Sequence, residues 1–132
     1  MIGLDTNVVV RLFVDDDPRQ AKAARAFVAG RCTDGDPGFV NRVSLCELVW
    51  VLESVYGYDR AAIGNVVAEL IASSDIVVED QQLGEAALAT FRATNLGFAD
   101  ALTGEVNHAR GCEATATFDR RATRRETFVA VA

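Results

Sequence analysis

Histidine is almost missing from this chain. His108 is the only one, which excludes a His-rich metal site and leaves a Ser-His-Asp triad with a single base to use. In the middle of a helical pattern, it reads as a surface or packing residue. Cysteine is scarce too. Cys32, Cys46 and Cys112 stand far apart with no C-x-x-C pair, which argues against a disulfide framework or a zinc site and predicts reduced, mostly buried thiols. No apolar run approaches the ~20 residues that span a bilayer. The first residues carry an acid and no basic n-region, unlike a signal peptide. These absences predict a cytoplasmic protein with no membrane partner.

Lysine is the last shortage. Twelve of the 13 basic residues are arginine and Lys22 is the exception, so phosphate contacts would be made by bidentate forks. The net charge of −6 has the wrong sign for a nucleic-acid partner. Its distribution alters that view. From residue 119 onward four arginines (120, 121, 124, 125) face two acids (119, 126), a net +2, so residues 1–118 carry −8. Taken alone, the arginine run reads as a solvated helix.

What is present is globular. Half the 132 residues are hydrophobic and 24% are charged, enough for one domain with a sizeable core. Short apolar runs alternate with longer amphipathic segments. Strands are predicted at 1–5, 39–43, 76–79, 113–118 and 127–131, and helices at 6–14, 18–29, 44–56, 60–72, 80–94 and 98–109, with a helical turn at 120–125. Asp15-Asp16-Asp17-Pro18 reads as a loop that solvates and then caps, with proline at the first helical position. Such alternation implies a parallel sheet covered on both faces, whose ligands sit beyond the carboxyl ends of the strands.

Four acids fall at those element ends, and each has a structural alternative. Asp5 ends the first strand and can equally cap the helix that follows. Glu47 lies in Ser44-Leu45-Cys46-Glu47, which fits the S-x-x-E capping box. Asp100, in FADAL, stands in a first helical turn, where a carboxylate meets the helix dipole favourably. Asp119 directly follows the strand ending in ATATF. A carboxylate cluster without nearby His or Cys is a hard-oxygen site suited to Mg²⁺ or Mn²⁺. If the four converge, like-charge repulsion raises their pKa values in the metal-free fold.

Taken together, LDTN at 4–7, VSLCELVWVL at 43–52, FADAL at 98–102 and TFDRRA at 117–122 resemble the PIN-domain ribonucleases. In size and motif order the chain is similar to VapC-type toxins of bacterial type II toxin–antitoxin pairs. The resemblance implies a three-layer α/β/α fold over residues 1–132, around a central, mostly parallel sheet of about five strands. It implies an endoribonuclease with Asp5, Glu47, Asp100 and Asp119 as the acidic site, and Thr6, Asn7, Ser44 and Thr117 as its supporting polar residues. Asp5 and Asp100 would hold the principal Mg²⁺ or Mn²⁺ ion, with Asp119 assisting. Glu47 would orient or deprotonate water, and Arg120 and Arg121 would bind RNA phosphates. It also implies a homodimer and a cognate antitoxin. Trp50, Leu52, Val55, Tyr56 and Tyr58 would in part form the partner groove and otherwise pack in the core.

The rival readings are weaker. A phosphoacceptor receiver needs a lysine near a late strand, and Lys22 lies early; a haloacid-dehalogenase-type phosphatase needs D-x-D, and Asn7 takes the second position. A PIN-like module that binds RNA or protein without cleaving it is the alternative from a different class.

Overall fold

Six helices alternate with five short strands, and every strand pairing is parallel. The structure, a computed structural model, describes residues 1–132 and divides into two compact units, Met1–Gln81 and Gln82–Ala132.

In the first unit, β1 (Ile2–Gly3), β2 (Gly38–Val40) and β3 (Ile76–Val78) form a parallel sheet in that order, with Gly3 opposite Phe39 and Val40 opposite Val78. Parallel neighbours need long crossovers. Helices α1 (Thr6–Phe13) and α2 (Pro18–Arg31) supply the first, and α3 (Arg42–Ser54) and α4 (Arg60–Ala72) the second. The apolar faces close a core of Val9, Val28, Val40, Leu48, Leu52, Ile63 and Val67, all fully buried or nearly so. Each helix starts on a short polar side chain. Asp17 accepts the Gln20 N–H ahead of Pro18, and Asp59 accepts the Ala62 N–H. Removing such a cap costs about 1 kcal/mol.

Two boundaries differ from the sequence reading for one reason, the position of a cap. Helix α3 begins at Arg42 because Asn41 accepts the Ser44 N–H at 2.8 Å. The strand before it therefore stops at Val40, and Ser44 is a buried residue of the first turn rather than the head of a capping box. Likewise the first strand ends at Gly3, because Asp5 already caps α1.

In the second unit, α5 (Gln81–Ala93, all but its first residue) and α6 (Phe98–Ala109) are followed by β4 (Thr115–Thr117) and β5 (Phe128–Ala130). The helix expected at residues 98–109 has those bounds. Phe91 and Phe98 meet edge to face, with ring centroids 6.1 Å apart, an arrangement aromatic quadrupoles favour. Gly104 permits a close approach, since a Cβ there would stand 2.8 Å from the Phe128 ring. Strands β4 and β5 pair in parallel, and a 3-10 turn at Ala122–Arg124 lies in the chain between them.

The hydrogen-bonded strands thus form one sheet of three and one of two, not a single sheet of five. Strand content is readable from apolar runs, but pairing depends on tertiary approach, and strands of two or three residues specify little register by themselves. No helix is long and apolar enough to cross a membrane. All three cysteines are free, but only Cys32 is buried; Cys46 is half-buried and Cys112 exposed.

Candidate active site

In the first unit, the LDTN turn is tied to α3. Asp5 has extended backbone and its Oδ1 accepts the Val8 N–H at 3.1 Å, so the capping reading is realised. That bond occupies one carboxylate oxygen; the side chain is exposed, and its second oxygen makes no protein hydrogen bond. The next residue reaches further. Thr6 Oγ1 donates to Glu47 Oε2 at 2.6 Å, across 41 positions of sequence. Glu47 projects from the exposed side of α3, one turn beyond buried Ser44. Two of the four expected acids are therefore joined through consecutive residues of one turn.

Asn7 makes no hydrogen bond to either acid and lines a cavity of about 370 Å³ with Val8, Arg11, Gln20, Ala23, Ala24 and Phe27. Several other acids of this unit are already partnered. Asp16 accepts the Tyr56 hydroxyl at 2.8 Å and pairs with Arg11, while Glu79 and Asp80 at the end of β3 both accept from Arg42. Arg42 holds the Glu79 carboxyl below its ordinary range. These are structural ion pairs.

In the second unit, Asp100 stands in the first turn of α6, whose cap residue Gly97 offers no side chain. The Asp100 carboxylate leans back so far that a Cβ on Gly97 would lie 3.2 Å from Oδ2. Glycine keeps that space open. Asp119 follows β4, and its N–H donates to Thr117 Oγ1 at 3.0 Å.

Sequence reading missed the partner of Asp119, which is Arg121. The Arg121 guanidinium donates to both carboxylate oxygens, Nε to Oδ1 at 3.2 Å and Nη2 to Oδ2 at 2.9 Å, and its backbone N–H also reaches Oδ1 at 2.9 Å. The only signal in the sequence was the D-x-R spacing on a turn after a strand. These hydrogen bonds from Arg121 hold the Asp119 carboxyl below its ordinary range, the reverse of the rise that mutual repulsion would cause. In turn, Asp119 raises the Arg121 guanidinium, and the charge of Asp100 adds to the effect. Arg120, Arg124 and Arg125 are exposed and make no ion pair, and the last two line a cavity of about 330 Å³ with Glu126 and Thr127.

Within neither unit do three Asp, Glu, His or Cys side chains gather into a group able to hold a metal ion. The donors are nevertheless of the right kind. Each unit offers two carboxylates with a threonine beside them and no histidine or thiolate bonded to them, a donor set that suits a hard divalent ion.

The model of the PIN domain matches residues 2–127, a span that includes every residue named above as a site candidate. The chain belongs to the PIN-domain family. PIN domains are generally nucleases and hence hydrolases, and usually use divalent metals. No curated protein matches this PIN domain.

Proposed function

We propose that this PIN domain is a Mg²⁺- or Mn²⁺-dependent endoribonuclease, working as a single PIN-like domain and as the toxin of a type II toxin–antitoxin pair. The observation that carries the reading is the Thr6–Glu47 hydrogen bond, which joins the first and second motifs within a chain matched to the PIN family almost throughout. Asp5, Asp100 and Asp119 would hold the ion, which when bound would polarise phosphate oxygens and lower the pKa of water. Glu47 takes a proton from the attacking water and is held for that task by the Thr6 hydroxyl. The water oxygen bonds to phosphorus, the 3′ oxygen departs and takes up a proton to become a 3′ hydroxyl, and the other product keeps a 5′ phosphate. Thr117 fixes Asp119 through its backbone, and Ser44 seats the turn of α3 that carries Glu47. The exposed arginines bind RNA phosphates.

A cognate antitoxin and a second copy of the chain are the proposed protein partners, in the cytoplasm, where free thiols stay reduced. The support is the outer side of α3 and the residue that ends it. Trp50 is 63% exposed and Val55 62%, whereas Leu52 is fully buried and Tyr56 is bonded to Asp16, so the partner surface centres on Trp50 and Val55. The test of function is divalent-dependent cleavage of RNA by purified protein and its loss in Asp5→Asn. The alternative, a module that binds without cleaving, draws on the Arg121–Asp119 pair, which neutralises that acid without any ion. RNA binding that survives with no cleavage at any divalent concentration is the outcome that reading requires.

A further inference from the structure

A metal ligand must have a lone pair to offer, and of the roughly four acceptor sites of the Asp119 carboxylate three are engaged by one residue, Arg121. The contact is two-pronged, with donor–acceptor distances of 2.9 and 3.2 Å, and the backbone N–H of the same residue adds a third bond. Paired forks of this kind are among the stronger charge-assisted hydrogen bonds. Yet the pair is not sealed. The Arg121 side chain is 52% exposed and the Asp119 side chain 29%, so water and ions reach it and separation leaves no charge buried. Arg120, one position earlier, makes no such contact although it carries the same charge. The local turn selects Arg121 because its backbone N–H is already anchored to Oδ1.

We propose that Arg121 is an exchangeable internal counter-ion of Asp119: it holds both carboxylate oxygens until a divalent cation takes them, and is then released to bind a phosphate of the substrate. The inference deepens the proposed function and rests on Asp119 as a metal ligand. Its consequence is ordered loading. Without metal, Arg121 is engaged with Asp119 and contributes little to RNA affinity. With metal, the freed guanidinium would be available to a phosphate of the substrate. By linkage, phosphate that captures Arg121 strengthens metal binding by the same factor.

The test is Mn²⁺ affinity without RNA, measured by titration calorimetry on metal-free wild type, Arg121→Ala, Arg121→Lys and Arg120→Ala. Arg120→Ala removes the same charge from the neighbouring position but leaves the fork, so it measures the plain electrostatic gain. Arg121→Ala should bind Mn²⁺ about fivefold more tightly than Arg120→Ala, the upper end of what an exposed pair contributes. Arg121→Lys, which keeps the charge and loses the fork, should fall between wild type and Arg121→Ala. In wild type, the NMR signal of the Arg121 Nε–H should shift on Mg²⁺ addition to its position in metal-free Asp119→Asn. Equal tightening in Arg121→Ala and Arg120→Ala, or weaker binding in Arg121→Ala, would overturn the exchange while leaving the metal site intact. Absence of Mn²⁺ binding in all four proteins would remove the metal site and the exchange with it.

Discussion

The Thr6 hydroxyl donates to Glu47 Oε2 across 2.6 Å, so the turn that opens α1 fixes the carboxylate carried by the middle of α3. The bond engages Oε2 of Glu47 and leaves Oε1 without a protein partner, the oxygen that would meet water under the proposed function. Thr6→Val should therefore lower kcat about tenfold, with KM little changed, as for loss of an orienting partner. Thr6→Ser should recover most of the rate. Glu47→Gln should cost more, about 10²–10⁴-fold in kcat, because the proton acceptor itself is lost. Steady-state cleavage of a labelled RNA measures all three. A Thr6→Val enzyme at full rate would remove the orienting role.

The two arginines after Asp119 should behave differently in RNA binding. Measured in chelator, where no cleavage occurs, Arg120→Ala should flatten the dependence of log K on log salt by about one phosphate contact. Arg121→Ala should change it less, because its guanidinium is engaged with Asp119. Filter binding across a salt series distinguishes them. Equal slopes for the two variants would contradict the pairing.

The depressed carboxyl of Asp119 has a consequence for stability. A group whose folded pKa lies below its unfolded value, here an ordinary 3.8, stabilises the fold above that value and loses the contribution as pH falls through the lower folded one. Metal-free Asp119→Asn should thus melt below wild type at pH 7, with the gap closing as pH falls through the carboxylate range to about 2. Thermal melts at a series of pH values follow the gap. A gap that stays constant down to the lowest pH would assign the loss to turn geometry rather than charge.

Much of the fold was legible, and where legibility failed the reasons are physical. The helix Phe98–Ala109 was legible with its true bounds because Phe98, Ala101 and Leu102 mark one buried face. The Asp17–Pro18 cap was legible for a similarly local reason. Asn41 was missed because Ser44 and Glu47 presented a more familiar capping pattern, and only the structure shows which side chain meets the helix N–H groups. Which strands pair, and that Arg121 rather than Arg120 turns back on Asp119, depend on approach in space. Composition alone carries no trace of either. Asp5 and Asp119 stood out because each adjoins an apolar strand, whereas Glu47 and Asp100, which lie in helices, stood out only together with the other motifs.

Asp100 has no hydrogen-bonding duty as a cap, so its exchange for asparagine isolates its charge. Mn²⁺ binding only to the folded protein raises its melting temperature by mass action. Asp100→Asn should show a much smaller rise than wild type, by differential scanning fluorimetry with chelator and with Mn²⁺. Equal rises in the two proteins would remove Asp100 from the ligand set.

The central claim is that these acids make an RNA-cleaving centre, and Asp5 is where it is most exposed to test. Asparagine caps a helix about as well as aspartate, so Asp5→Asn preserves the bond to the Val8 N–H and the start of α1 while removing the charge. Purified wild-type and Asp5→Asn proteins are incubated with single-stranded RNA, in chelator and in Mg²⁺ or Mn²⁺, and the 5′ ends of the products are identified. The account predicts cleavage by wild type only with the divalent ion, 5′-phosphate ends, and a rate at least about 10²-fold lower in an Asp5→Asn protein that melts like wild type. Cleavage that persists in chelator, or an Asp5→Asn protein as active as wild type, would contradict it.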